Sequence, residues 1–415
     1  MELEVGFGNG VQRFTVPERN LQGVLTPNPV PHALTGEREV RRALSSPIGA
    51  PLLREVIHPG EKIAIITSDI TRPMPTYTVM PALLDELYAG GARPEDITLV
   101  FALGSHRAQT PEEMRHLAGE QAWAQIRCAP AYVVHLGVTS AGTPVDITRV
   151  VAEADRRICL GNIEYHYFAG YSGGAKAIMP GVSTHDAIQA NHKRMVDERA
   201  HAGNLDTNPV RIDIDEVGSF VHIDFIVNVV LDEHKKIRHC VAGHYIEAHR
   251  AGCRLLDKLY QVAISAKADI VVTSPGGFPK DLNIYQAQKA LDNAKHAVRD
   301  GGVIVWLAAA GEGLGEATFE KWMLGHEKSR DMIDHINREF ELGGHKAAAI
   351  AMVLEKCRIL FVSSLDADFV RKIHLEPFAT LDEAMEEAFR AMGKDAKVLA
   401  MPYGGSTLPV LANPV

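Results

Sequence analysis

A chain of 415 residues with 46% hydrophobic content has enough apolar surface for two packed domains, and its formal charge of −9 argues against a nucleic-acid partner, because phosphate binding needs a basic face. The longest purely apolar runs, such as 303–310, have eight residues, whereas a membrane span needs about 20. The five cysteines are scattered and form no C-x-x-C pair, which argues against a disulfide framework or a structural zinc site and fits a reducing cytoplasm.

The chain starts with Met1-Glu2-Leu3-Glu4, acidic and with no apolar block behind it, so it does not read as a signal peptide. Gly6-Phe7-Gly8-Asn9-Gly10 reads as a hairpin turn. Residues 63–67 predict a buried strand, followed by a helix whose Val79, Met80, Leu83, Leu84 and Leu87 share one face and which Gly90-Gly91 ends. The next strand is predicted over 97–103, and Thr110-Pro111-Glu112-Glu113 opens a helix with a capping box. Further strands are expected at 157–160 and 225–230, with Lys235-Lys236 in the turn that follows, and a helix from about 245 to 259. A fresh alternation then begins: strand 270–273, helix 285–298, strands 303–307, 359–362 and 398–400. Short apolar runs alternating with amphipathic helices predict an α/β protein with mainly parallel, Rossmann-like sheets flanked by helices. The expected domains are residues 1–262 and 263–415, with the active site between them.

In open α/β sheets, ligands bind beyond the carboxyl ends of the strands. The unusual polar clusters fall there. Strand 63–67 runs into Ser68-Asp69-Ile70-Thr71-Arg72, strand 97–103 into Gly104-Ser105-His106-Arg107, and strand 157–160 into Gly161-Asn162-Ile163-Glu164-Tyr165-His166. Strand 270–273 runs into Ser274-Pro275-Gly276-Gly277, beyond which Gln286 and Lys289 share a helix face. Each cluster also has a purely structural reading. Asp69 and Arg72 could pair at a turn, His106 could bond to backbone, and Gln286 and Lys289 could face solvent. Their common position after strand ends favours one shared site.

The densest stretch is His166-Tyr167-Phe168-Ala169-Gly170-Tyr171-Ser172-Gly173-Gly174-Ala175-Lys176. It puts a proton-transfer histidine, a glycine turn and a lysine within one segment. Neighbouring aromatic rings could desolvate the lysine amine, which would make it nucleophilic near neutral pH. His185 and His192 lie i, i+7, too far apart to be the two ligands of an H-E-x-x-H zinc site. Gly311-Glu312-Gly313-Leu314-Gly315 invites a dinucleotide-loop reading, but its spacing is not G-x-G-x-x-G. A nicotinamide-dependent 2-hydroxy-acid dehydrogenase and a non-catalytic cofactor-binding protein therefore stand as the alternative functions.

In order and spacing, these motifs together with Asn191-His192 and Ser274-Pro275-Gly276-Gly277-Phe278-Pro279-Lys280-Asp281 resemble the nickel-dependent lactate racemase family along nearly the full length. The resemblance implies a racemase or epimerase that inverts C2 of a 2-hydroxy acid by hydride transfer through a 2-keto acid. It also implies a nickel-pincer nucleotide, a pyridinium mononucleotide whose two sulfur groups and one ring carbon hold nickel. Lys176 would carry that group through a thioamide, with Asp69, Gly173, Gly174 and Gln286 around it, and His192 would be the protein's nickel ligand. His106 and His166 would be the acid/base pair, and Arg72, Lys289 and His345 would contact the substrate. The partners expected are a small 2-hydroxy acid, no nucleic acid and no membrane; a homo-oligomer is compatible with this reading. Lactate-specific members carry a tryptophan near the substrate where this chain has Gly343-Gly344-His345-Lys346, and none of Trp123, Trp306 and Trp322 clearly replaces it. The resemblance thus implies a substrate larger or more polar than lactate.

Overall fold

The computed structural model describes residues 1–104, 107–128, 133–232 and 235–412. The chain divides into two compact units, one made of Val30–Lys258 and the other of Met1–Pro29 together with Leu259–Val415. The second break falls four residues before the expected boundary at 262. The N-terminal 29 residues belong with the C-terminal unit rather than with the segment that follows them.

The first unit is built on a six-stranded sheet in the order Ile237–Gly243, Phe225–Leu231, Arg156–Asn162, Ile63–Ser68, Ile97–Ala102, Arg127–Cys128. All neighbours are parallel except Ile237–Gly243, which runs antiparallel to Phe225–Leu231. Ile63, Ala64, Ile65 and Ile66 are all buried. That explains the continuous apolar run: a parallel strand is covered on both faces and cannot alternate. The helix Thr76–Ala89 turns Val79, Met80, Leu83, Leu84 and Leu87 to this core, as the periodicity predicts.

The second unit carries a six-stranded, wholly parallel sheet in the order Glu376–Phe378, Arg358–Val362, Val298–Leu307, Ala268–Thr273, Val398–Met401, Leu21–Val24. Leu21–Val24 is the edge strand that brings the N-terminus into this unit. Ahead of it, Glu2–Phe7 and Gly10–Thr15 form the antiparallel hairpin expected around Gly8-Asn9. One predicted element is shorter than expected. The helix foreseen to 298 ends at Ala294, because Val298 already pairs with Ala268 as the first residue of the next strand.

The four cysteines whose side chains are described, Cys159, Cys240, Cys253 and Cys357, are free and buried. Among the described residues, no helix is long and apolar enough to cross a membrane.

Candidate functional site

In the first unit the chain lays down Ile63–Ser68, moves outward through Ile97–Ala102, and returns to place Arg156–Asn162 on the other side of Ile63–Ser68. The strand order therefore reverses between Ile63–Ser68 and Arg156–Asn162. At such a switch point the loops diverge and leave a crevice beyond the strand ends. Asp69 follows the first of these strands, and the segment from Ile163 to Lys176 follows the second.

Asp69 is buried, and its Oδ1 accepts the backbone N–H of Thr71 at 2.7 Å and the Thr71 hydroxyl at 2.5 Å. The Arg72 N–H donates to the Asp69 carbonyl at 3.1 Å. Asp69 thus shapes the turn that presents Arg72. Arg72 itself is exposed. His106 lies outside the described residues.

Tyr165–His166 and Gly170–Tyr171 form a two-residue antiparallel ladder that doubles the loop back on itself. The carbonyls of this loop are held from beneath by buried polar groups. The Arg211 side chain, fully buried, donates to the carbonyls of Ala169 at 3.4 Å, of Gly173 at 3.5 Å, and of Tyr171. Asp215 lies 3.6 Å from the Arg211 guanidinium and also binds Arg250. His249 donates from Nε2 to the Ser172 carbonyl at 2.8 Å, and its Nδ1 accepts from Arg250. Burial, then the nearby Arg211 and Arg250, push its pKa well down, so it serves as a neutral prop. Asp257 accepts both tyrosine hydroxyls, Tyr165 and Tyr171, at 2.8 Å each. Burial raises its pKa against those two bonds.

Gly173 and Gly174 take positive φ of 79° and 62°. A Cβ on Gly173 would meet the Asn228 amide oxygen at 2.7 Å, and one on Gly174 the His249 ring at 2.9 Å. The Gly-Gly pair is required for backbone fit, and Asn228 Oδ1 accepts the Gly174 N–H at 2.7 Å. Beyond it, the short helical turn Gly174–Ala177 carries the half-buried Lys176.

Three functional candidates of this unit, His166, His192 and Lys176, meet at the ring of Phe168. His166 approaches it edge-on with centroids 4.5 Å apart, His192 at 4.8 Å, and Lys176 Nζ lies 6.0 Å from its centroid. Nδ1 of His166 accepts the Ala169 N–H at 3.2 Å, so the neutral ring carries its proton on Nε2.

His192 ends the helix His185–His192 and is buried, with Nδ1 2.9 Å from Asn191 Oδ1. The Asn191 amide nitrogen donates to Asp213 at 2.7 Å and to the Val210 carbonyl at 3.2 Å. Its oxygen is therefore what faces the imidazole, Nδ1 is the donor, and the lone pair sits on Nε2. That is the form a metal-ligating histidine takes. Among the described residues, no group of three or more His, Cys, Asp or Glu side chains could hold a metal by itself. The donor set here fits a metal that arrives with other ligands and takes one imidazole from the protein.

In the second unit, the helix Ile284–Ala294 is capped by Asn283, whose side chain accepts the Gln286 N–H at 3.0 Å. Gln286 is exposed and Lys289 half-buried, one turn apart. His345 opens the helix Gly344–Leu354 as a buried residue, and its Nδ1 accepts the Gly343 N–H at 2.9 Å. Burial, with Lys346 adding to it, pulls its pKa down to about 3. Lys346 is buried too; its amine donates to the Tyr285 carbonyl and lies 3.9 Å from that ring's centroid. The starts of the two helices, carrying Gln286 and His345, are thereby tied together. Trp322 is buried behind this turn, where a Cβ on Gly344 would strike its indole at 2.2 Å.

Arg211, Asp213, His249 and Asp257 escaped the sequence reading. A signal was present in the helix Pro209–Val221: Val210, Ile214, Val217 and Val221 define its buried stripe, Arg211 and Asp213 are buried beside them, and Ile212 and Phe220 are exposed. Charges on the core side of an amphipathic helix mark a polar network.

Comparison with known proteins adds an independent line. The family model for the lactate racemase N-terminal domain matches residues 7–203, and that for the lactate racemase C-terminal domain matches 263–408. The chain is 32% identical to a lactate racemase of Thermoanaerobacterium thermosaccharolyticum over 98% of both chains. It is 35% identical to one of Lactiplantibacillus plantarum, over 89% of this chain and 90% of the relative. The structure of the lactate racemase apoprotein from T. thermosaccharolyticum superposes with a TM-score of 0.91 at 31% identity, covering 99% of this chain and all of that one. A Thermotoga maritima protein shares the fold, with a TM-score of 0.67 at 18% identity over 92% of this chain and 100% of its own.

Proposed function

Because the chain belongs to the lactate racemase family, we propose that this racemase inverts C2 of a 2-hydroxy acid through a 2-keto acid, using a nickel-pincer nucleotide attached at Lys176 and ligated by His192. The observation that carries this reading is the meeting of His166, Lys176 and His192 at the Phe168 ring. One group there can move a proton, one can be acylated, and one presents a lone pair to a metal. Asp69, Gly173, Gly174 and Gln286 are the further residues proposed around the nucleotide.

When bound, the nickel-pincer nucleotide supplies a reversible acceptor for the α-hydride, so no carbanion need form beside a carboxylate. The chain's residues do the rest. Arg72 offers a planar fork to the substrate carboxylate. His106 and His166 exchange the hydroxyl proton on opposite sides of C2, a task that suits a group with an unperturbed pKa of about 6.5. His166 holds its proton on Nε2 in the resting chain, where a substrate oxygen would find a donor. To accept a proton, its Nδ1 bond with Ala169 must give way.

Lys289 and His345 are proposed to contact the substrate's distal end. The support for a substrate larger or more polar than lactate is the sequence: Gly343-Gly344-His345-Lys346 stands where lactate-specific members carry a tryptophan, and exchanging an indole for glycine and imidazole opens volume and adds hydrogen-bonding groups. Malate or an aldonate should then show a higher kcat/KM than lactate. A preference for lactate, unchanged in His345→Ala, would remove this segment from the pocket.

The attachment is tested by intact mass. Cofactor-loaded protein should carry an adduct of mononucleotide size that Lys176→Ala lacks, and an adduct that persists in that variant overturns the assignment. His166→Ala should lower racemisation in both directions by about a hundred- to ten-thousandfold. Near wild-type turnover would exclude it as acid or base.

A further inference from the structure

Asp213 lies deep beneath the His192 helix, 22 residues from Asn191 in sequence, and is 1% exposed. The direction of every hydrogen bond around it can be worked out. Thr143 Oγ1 accepts from Arg194, and Thr139 Oγ1 accepts the Thr143 N–H at 3.0 Å. Both hydroxyls donate to Asp213, at 2.7 Å and 2.6 Å, because a carboxylate offers only acceptors. The Arg194 guanidinium stands 3.8 Å away. Asp213 is thus an acceptor toward every neighbour, and Asn191 must turn its NH2 toward it. The Asn191 oxygen then faces His192 Nδ1, and only the Nδ1–H tautomer can answer it.

We propose that Asp213 and Asn191 are positioning residues that fix His192 as the Nδ1–H tautomer, with the lone pair on Nε2, before any metal is present. The polarity of one buried carboxylate passes through an amide to the imidazole. Only the use made of that lone pair rests on the function proposed above. A ligating histidine held by such a partner has its tautomer and ring plane set in advance, whereas an unheld ring divides its population between two tautomers.

The test compares isosteres, so that shape stays constant while polarity changes. In Asp213→Asn, the new amide can donate to the Asn191 oxygen. Asn191 can then turn its NH2 to His192, giving up its 3.2 Å bond to the Val210 carbonyl, and the ring can take the Nε2–H form. The double change Asp213→Asn with Asn191→Asp restores the original direction toward both 213 and His192, because a carboxylate at 191 accepts from each, although it gives up the bond that Asn191 donates to the Val210 carbonyl. The ring tautomer is read by long-range 15N NMR on histidine-labelled, metal-free protein at a pH where the ring is neutral. Wild type and the double variant should show His192 as Nδ1–H, and Asp213→Asn should shift it toward Nε2–H. Nε2–H in wild type, or an unchanged tautomer in Asp213→Asn, overturns the proposal.

Nickel retained by cofactor-loaded enzyme under chelator challenge gives the second readout. It should fall about ten- to a hundredfold in Asp213→Asn and recover in the double variant. If the tautomers behave as expected while nickel retention is equal in all three proteins, the positioning role stands and His192 is not the nickel ligand.

Discussion

The loop after Arg156–Asn162 and the loop after Ala268–Thr273 both leave a buried parallel strand, and they are secured by different chemistry. The first is held mainly by charged groups: Arg211 gathers three carbonyls and Asp257 two tyrosine hydroxyls, while the neutral His249 takes a fourth carbonyl. The second is held by short neutral bonds and one carboxylate. The Ser274 hydroxyl donates to the Gly6 carbonyl at 2.5 Å and accepts the Gly276 N–H at 3.0 Å. Asp281 accepts the backbone N–H groups of Gly8 at 2.6 Å and Ala309 at 3.1 Å. A buried guanidinium can fix several carbonyls at once in a direction-dependent way, which suits a loop that presents His166 and Lys176. It carries a matching liability, because losing it leaves the loop carbonyls without their donor and Asp215 with Arg250 alone.

Breaking the first loop should therefore cost far more than breaking the second. Arg211→Met removes a buried charge and leaves Asp215 with Arg250 alone, a change expected to destabilise by about 3–5 kcal/mol. Hydrogen exchange in the strands Arg156–Asn162 and Phe225–Leu231 should rise accordingly. Loss of stability within 1 kcal/mol of wild type, read by urea denaturation, would show that the guanidinium is not structural.

His345 is a charge-sensitive point of the second unit. Its folded pKa is about 3 against an ordinary value near 6.5. The unfolded chain therefore binds a proton that the folded chain refuses. The stability this group contributes is complete above about pH 6.5 and is lost as pH falls toward 3, at up to about 1.4 kcal/mol per pH unit. Urea midpoints measured at pH 7 and pH 5 should converge in His345→Gln relative to wild type. An identical acid dependence in both proteins would mean that the ring protonates in the folded state.

The smallest effect is expected at Ser274→Ala. It withdraws one hydroxyl from the partly buried Gly6 carbonyl and the Gly276 N–H, at a cost of about 1–2 kcal/mol. Racemisation by this variant, compared with Arg211→Met at a temperature where both are folded, sharpens the contrast. The serine change should leave kcat nearly unchanged, whereas the arginine change should lower it by disordering the turn that carries His166.

What the sequence determined by itself was local. The continuous apolar runs at 63–66 and 303–307 specify buried parallel strands, because nothing in them alternates. The Thr110-Pro111-Glu112-Glu113 pattern specifies a helix start, and both bonds of the capping box are present, with the Glu113 N–H donating to Thr110 Oγ1 at 3.2 Å. The position of Asp69 and His166 after strand ends followed from strand order alone. Which unit the first 29 residues join was not legible, since an edge strand as short as Leu21–Val24 carries little pattern and finds its place by completing a sheet. The approach of His192 to Phe168 and the Asp213–Asn191–His192 chain were equally hidden. They join elements distant in sequence, and only the burial of both sheet faces brings those elements together and forces each enclosed polar atom to find a partner.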